Sequence, residues 1–262
     1  MPEPPILLLL ILAAFLAGFV DAVVGGGGLI QLPALMLGLP ANTSITTILG
    51  TNKVVSFTGT SVAWGQFLRA RVLSRREMVA PVLMAIAGAW GGVALAYLLE
   101  GRFEAWFRPA MLVLLVAMLA FTLLKPDLGS LHAPRFGLSH QRGIAAGLAL
   151  ALGFYDGLFG PGTGSLLIFL FVAVLGFDFL RASALAKSVN WASNLASLSL
   201  FVFKGSWLPA LALGMALGNG LGGHLGARTA LAKGNRWVRL LFIAVVSALI
   251  LRLGWQTIKI SF

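Results

Sequence analysis

Apolar residues in this chain gather into long unbroken runs, with the polar residues confined mostly to short gaps between them. Runs fall at about residues 5–24, 45–68, 77–99, 105–124, 141–159, 182–203, 206–231 and 237–258. A helix needs about 20 apolar residues to cross a hydrocarbon core roughly 30 Å thick, so each run predicts a transmembrane helix. Two further apolar stretches, at about 28–39 and 163–176, hold only 12 and 14 residues and follow glycine clusters. These predict half-length or broken helices.

The basic residues orient the runs. Arg69, Arg71, Arg75 and Arg76 follow the 45–68 run, Lys125, Arg135 and Arg142 flank the longest polar connection, and Arg228, Lys233, Arg236 and Arg239 precede the last run. If both short stretches cross, all three clusters share one face, the cytoplasmic one by the positive-inside rule. Both termini then lie outside. Re-entrant short stretches would put the third cluster opposite the other two. Five crossings per half is therefore the preferred reading, with Lys204, Arg252 and Lys259 on the unfavoured side. The chain divides into a first transmembrane repeat at 1–125, a polar connection at 126–142 and a second repeat at 143–262.

Composition agrees with the runs. The chain is 59% hydrophobic and 10% charged, with a mean hydropathy of +0.95, against about 25% charged residues in a soluble domain. Its net charge of +11 would suggest nucleic acid in a soluble protein, but no basic stripe is interleaved with aromatics, and nucleic acid is excluded as a partner. The lipid bilayer is the partner instead. The lack of cysteine removes disulfides, zinc–thiolate sites and thiol catalysis. The first run has no Lys or Arg before it and leads into a glycine motif that recurs, so it reads as a mature helix rather than a cleaved signal.

That recurrence is an internal repeat. Gly18, Phe19, Asp21 and Gly25 match Gly153, Phe154, Asp156 and Gly160 without a gap. Farther on, the stretch ending at Lys53 answers the one ending at Lys187, and Trp106-Phe107-Arg108 answers Trp237-Val238-Arg239. Five crossings are an odd number, so the second half should be inverted. The predicted fold is an all-α polytopic membrane protein of two inverted repeats, each with four long helices and one short or broken helix. Inverted repeats with glycine- or proline-interrupted segments in matching places point to a transporter with its substrate near the midplane.

The candidate chemistry gathers at those interruptions. Gly25-Gly26-Gly27-Gly28 has its counterpart in Gly160-Pro161-Gly162-Thr163-Gly164-Ser165. Each glycine costs a helix roughly 1 kcal/mol relative to Ala, and backbone unwound in a membrane must find partners in protein or water. The bare amides around Gly26, Gly27, Gly28, Gly162 and Thr163, with the positive ends of the short helices behind them, form a candidate anion nest; a tight packing turn is the alternative. Lys53 and Lys187 lie inside apolar runs at matching positions, where a charge costs roughly 2.5–3.5 kcal/mol at the bilayer centre. Asn52 precedes Lys53, while Asn190 and Asn194 follow Lys187 on one helical face, and Ser56 and Thr60 fill the equivalent places after Lys53. Ammonium with neutral donors suits an oxyanion; snorkelling of either lysine to an interface is the bland alternative.

Asp21 and Asp156 are the matched acids. They can pair with the lysines, cap the unwound glycines or carry a coupling proton. Gly214, Gly218, Gly222 and Gly226, like Gly88, Gly92 and Ala96, recur every four residues, a close-packing pattern that would serve within a protomer or across a homodimer. His224 reads as a packed or interfacial polar residue, and His132 and His140 as exposed. No catalytic residue set, metal cluster or cofactor is implied, so the chain does not read as an enzyme.

The motif from Gly18 to Pro33, the later Gly-Thr-Asn-Lys ending at Lys53, the run from Gly153 to Ser165 and Ala186–Asn194 together resemble the TauE/SafE sulfite-exporter family of membrane permeases. The resemblance runs from about residue 11 to residue 250. It implies a multi-pass protein of a bacterial or archaeal cell membrane that moves small inorganic or organic sulfur anions, including sulfite, thiosulfate and organosulfonates. Thr51, Asn52 and Lys53, and Lys187 with Asn190 and Asn194, fall on the family's motif positions. The first half departs by a longer connector, Pro40 to Ile48, and by Ser56 where the second half has asparagine. A secondary transporter working as an exporter is the expected function, with a passive anion channel or a permease for another small anion such as a carboxylate as the alternative.

Overall fold

The computed structural model describes residues 3–40, 42–99 and 133–260, with Val113, Val116 and Ala120 between them; beyond Lys233 it describes the backbone and a few side chains. The helix expected at 105–124, apart from those three helical positions, and Trp106-Phe107-Arg108, Lys125 and His132 lie outside the described residues. Among the described residues the fold is all-helical: α1 (Pro4–Val24), α2 (Gly28–Gly38), α3 (Ile45–Arg69), α4 (Arg75–Leu98), α5 (Leu138–Leu158), α6 (Thr163–Ala173), α7 (Phe179–Phe203) and α8 (Pro209–Ile260).

Local chemistry sets the boundaries. Side-chain caps start the helices that leave polar turns: Ser44 accepts from the Thr47 amide at 3.3 Å before α3, and Asp178 accepts from the Arg181 amide at 2.9 Å before α7. At α4, Ser74 and Glu77 form a reciprocal capping box, satisfying first-turn amides that have no helical acceptor. The breaks inside the apolar runs use glycine instead. Gly25 and Gly26 take φ of 71° and 96°, and Gly160 and Gly162 take 93° and 81°, a left-handed backbone that side chains with a Cβ resist.

The two halves match in length. α1 and α5 have 21 residues each, α2 and α6 have 11, and α3 and α7 have 25. The short helices, at about 1.5 Å per residue, reach only about halfway across a hydrocarbon core. α3 and α7 run antiparallel through the middle: Gly50 near the start of α3 abuts Ser206 beyond the end of α7, while Trp64 near the end of α3 donates to Ser188 Oγ near the start of α7 at 3.0 Å. α1 packs on α8, and α5 packs on α4.

One expectation changes at the C-terminal end. The apolar runs 206–231 and 237–258 predict two helices, but the backbone is helical without interruption from Pro209 to Ile260. No proline lies between the runs, and a single Gly234-Asn235 pair among good helix formers is too weak a breaker. At about 1.5 Å per residue, its 52 residues far exceed one bilayer crossing. Its basic stretch, from Arg228 to Arg239, therefore belongs at an interface.

Polarity is layered inside out. Leu9, Leu12 and Leu16 on α1, Val79 and Leu83 on α4, and Leu213, Leu217 and Leu221 on α8 face outward, where only lipid can receive such a surface. Buried polar residues line α3 and α7 instead: Thr51, Asn52, Lys53, Lys187, Ser193 and Asn194 are all buried. That is why α1 and α4, with mean hydropathies of 2.7 and 1.9, stand out as membrane spans by composition while the central helices do not.

The four-residue glycine spacing is used within the protomer. A Cβ at Gly222 would land on the Phe15 carbonyl oxygen of α1, whereas one at Gly214 would meet only Ile11 Cδ1 at an ordinary 3.7 Å. Gly222→Ala should therefore destabilise the purified protein by about 1–3 kcal/mol, while Gly214→Ala should be close to neutral. Thermal unfolding in detergent measures both, and equal losses would contradict this packing.

Candidate functional site

α1 ends at Gly25 and α5 at Phe159, and the glycine turns that follow are pressed together. Gly25 lies against Gly164 and Ser165, and Gly28 lies against Gly160 and Pro161. No side chain fits between these turns. Ser165 Oγ closes the contact by donating to the carbonyls of Gly25 at 2.8 Å and Val24 at 3.1 Å, at the open end of α1. Two short helices, one from each half, thus begin at the same place. The amides of Gly26, Gly27, Gly28, Gly162, Gly164 and Ser165 find no acceptor among the described residues.

A small cavity opens beside this junction. Gly26, Gly28, Gly160, Gly162 and Gly164 supply backbone to its wall, Asn52, Lys53 and Ser56 come from α3, Asn190 and Asn194 come from α7, and Asp21 and Asp156 complete it. Of the residues singled out from the sequence, Thr51, Gly27, Thr163 and Lys187 do not line it. Thr51 Oγ1 donates to the Thr47 carbonyl and accepts from the Leu208 amide at 3.0 Å, tying α3 to the start of α8. Thr163 Oγ1 donates to the Gly160 carbonyl at 2.9 Å, bracing its own turn. Gly27 packs beneath the Ala17 carbonyl of α1.

Both lysines are buried, with 1% and 0% of their surface exposed, and neither reaches an interface. Each pairs with the aspartate of the other half. Lys53 Nζ meets Asp156 Oδ2 at 2.8 Å, and Lys187 Nζ meets Asp21 Oδ2 at 2.9 Å. Burying either charge alone would be prohibitive in a low-dielectric interior, so the pairs are what allow lysine there at all. The two pairs are not identical. Lys187 also donates to the Asp21 backbone carbonyl, while among the described residues Lys53 is held by the Asp156 carboxylate alone.

Several site residues carry no signal in the sequence. Gln31 on α2 donates to Asn52 Oδ1 at 2.8 Å and accepts from Asn219 Nδ2 at 2.8 Å, and Asn219 donates in turn to the Ala14 carbonyl. This buried chain fixes the Asn52 amide from α1, α2 and α8. Ser193 donates to Asp156 Oδ2 at 2.7 Å. Trp191 stacks on Trp64 with ring centroids 4.1 Å apart and donates to Ser61 Oγ at 3.1 Å. Because Trp64 lies about two turns beyond the cavity residue Ser56 on α3, the stack lies on the side of the cavity toward the α3–α4 turn.

A chain that is all-helical among its described residues, with leucine outside, paired charges within and two broken helices meeting at a polar cavity, is a polytopic membrane protein. The comparisons agree. The family described as Sulfite exporter TauE/SafE matches residues 10–253, and the chain belongs to that family. It is 37% identical over 253 residues to the probable membrane transporter protein ORF9 of Sinorhizobium sp, covering 95% of this chain and 92% of that protein. It is 35% identical over 250 residues to the probable membrane transporter protein YfcA of Escherichia coli (strain K12), covering 95% and 89%, and 36% identical over 237 residues to a probable membrane transporter protein of Haemophilus influenzae, covering 89% of each. No solved structure matches the chain. The protein is a multi-pass membrane transporter of the cell membrane, not an enzyme.

Removing one member of a buried pair strands the other. Lys187→Met should cost about 3–5 kcal/mol, and the double variant Lys187→Met with Asp21→Leu should recover most of it. Denaturant unfolding in detergent reads the coupling; additive losses would mean that the pair is not the anchor.

Proposed function

We propose that this transporter exports small sulfur-containing anions, such as sulfite, thiosulfate or organosulfonates, and holds them in the cavity where the two broken helices meet. The observation that carries the reading is the convergence of two helix N-termini, with amides that find no acceptor, on a cavity that also presents Lys53 and three asparagine amides. Half-helix N-termini aimed at a site favour anionic groups. An oxyanion offers many acceptor lone pairs, and the cavity offers many donors. Membership of a family of sulfite exporters supports both the substrate class and the direction.

The halves are read here as inverted repeats about the cavity. Equal helix lengths, the antiparallel α3–α7 pair and cross-half lysine–aspartate pairing support that reading. Substrate then rests near the bilayer midplane, between two sets of helices that can part on alternate sides. The asparagines would grip the anion by neutral hydrogen bonds, and Lys53 would supply the charge.

Among the described residues the Asn190 side chain makes only a long 3.5 Å bond, accepting from Asn194, so Asn190→Ala should leave stability nearly unchanged. It should weaken thiosulfate or sulfite binding by about tenfold or more, equivalent to about 1.4 kcal/mol. Lys53→Gln should abolish it. Anion-induced thermal stabilisation of the purified protein, with counterflow in liposomes, measures both. A wild-type protein that neither binds nor exchanges these anions, but does so with carboxylates, would move the substrate class.

A further inference from the structure

The charges around the cavity sum to nothing. Lys53 and Lys187 carry two positive charges, Asp21 and Asp156 carry two negative ones, and both pairs are closed. Only three of these groups line the cavity: Lys53 and the two carboxylates, with Lys187 set behind Asp21. An anion entering this cavity meets two carboxylates and an ammonium already taken. Something must release the ammonium first.

We infer that Lys53 and Asp156 form a charge-exchange switch in which Asp156 takes a proton as Lys53 takes the anion, coupling one proton to each anion bound. The inference rests on the anion reading above. The step balances simply. Asp156 carboxylate and a proton become a carboxylic acid, its ion pair with Lys53 is lost, and the freed ammonium pairs with the anion.

The surroundings of the two aspartates select Asp156. Among the described residues Lys53 has no other hydrogen-bond acceptor, so neutralising that one carboxylate leaves it only the weaker, longer-range attraction of Asp21 across the cavity. Lys187 keeps the Asp21 backbone carbonyl, an acceptor that cannot titrate, so protonating Asp21 would leave Lys187 tethered. Asp156 also has a place for the proton. Ser193 Oγ lies 2.7 Å from Asp156 Oδ2 and 3.1 Å from the Asn190 carbonyl. The hydroxyl can turn to the carbonyl and accept from the new carboxylic acid, because a serine rotor donates or accepts as needed. By the 134-residue offset that relates Lys53 to Lys187 (187 − 53), the position matching Ser193 is residue 59, which is Gly59. Asp21 has no such hydroxyl from α3.

The remaining neighbours leave the switch clear. α3 brings Lys53 to Asp156, α7 brings Ser193, and α1 brings Asp21 with Lys187 behind it. α4 meets α5 through small residues, Ala85, Gly88, Ala89 and Gly92. Tyr155, on α5 itself, is committed to the Pro161 carbonyl at 2.8 Å.

The test is calorimetric titration of the intact protein with thiosulfate, in buffers of different ionisation enthalpy and at a series of pH values. Thiosulfate keeps its own charge over the range, so any proton change belongs to the protein. Wild type should take up one proton per thiosulfate, and its Kd should rise about tenfold per pH unit once Asp156 is ionised. Asp156→Asn should bind with no proton uptake and no pH slope, and Asp21→Asn should keep the slope whatever happens to its affinity. Wild-type binding without proton uptake overturns the switch and leaves the anion site standing, and this holds even if Asp156→Asn fails to fold. A slope lost in Asp21→Asn but kept in Asp156→Asn assigns the proton to the other pair. No thiosulfate or sulfite binding by wild type at any pH defeats the anion reading itself, and the switch with it.

Discussion

A lysine ammonium far from water needs a counter-charge within hydrogen-bond reach, and here each of two buried lysines finds it in the opposite half of the molecule. The pairing is crossed, α3 to α5 and α7 to α1, so each pair is also a tie between repeats. Much of the core follows from this. The aspartates sit one turn before the ends of α1 and α5, so drawing them to the lysines brings the glycine turns beyond them into contact. Gly25 against Gly164 tolerates no Cβ, and Gly28 lies close against Pro161. The short helices then begin at the junction because nowhere else can their first amides reach polar surroundings.

The same constraint explains the distribution of polarity. α3 and α7 carry the lysines and asparagines and are too polar to face lipid. They run antiparallel down the middle, while α1, α4, α5 and α8 surround them and put leucine and valine outward. The outer helices approach closely through glycine and alanine, since between apolar helices in lipid contact depends on shape more than on hydrophobic burial. The core is split accordingly. One apolar cluster gathers Phe67, Met78, Phe171 and Phe179, the other Leu10, Leu35, Ile48 and Met215, and the paired charges lie with the glycine turns rather than in either.

The sequence revealed more of this than a single chain usually does, because its Asp–glycine and lysine motifs each occur twice. Span positions follow from apolar runs, since lipid demands continuous apolar length. The matching of Asp21 with Asp156 and of Lys53 with Lys187 picks out as paired positions what a lone intramembrane charge would leave ambiguous. Which lysine meets which aspartate was not legible, because a repeat aligned in one dimension is silent about whether partners lie within a half or across it. Gln31, Ser193 and Asn219 were missed for a related reason. Each is a single polar residue without periodic context, and its importance comes from neighbours 21 to 188 residues away. The continuity of α8 was hidden by its basic stretch, which resembles a loop in charge but lacks any residue that ends a helix.

Near-symmetry with local exceptions is what would give the proposed site a direction of action. A ligand shifts a conformational equilibrium only by its difference in affinity for the two states. Two identical ion pairs would respond to an anion alike and leave no element fixed against which the other could move. The pairs here differ in one backbone acceptor and one serine. Lys187 is held by a carboxylate and a carbonyl, and so anchors the end of α1 whether or not Asp21 keeps its charge. Lys53 is held by a carboxylate alone, and so its grip on α5 depends on that group's ionisation. Breaking it loosens one cross-half tie and leaves the other intact. Unequal ties also bear on the choice between carrier and channel: on the proposed reading, an anion that displaces the Asp156 carboxylate from Lys53 alters a contact that holds the halves together, and such coupling between occupancy and architecture belongs to a carrier.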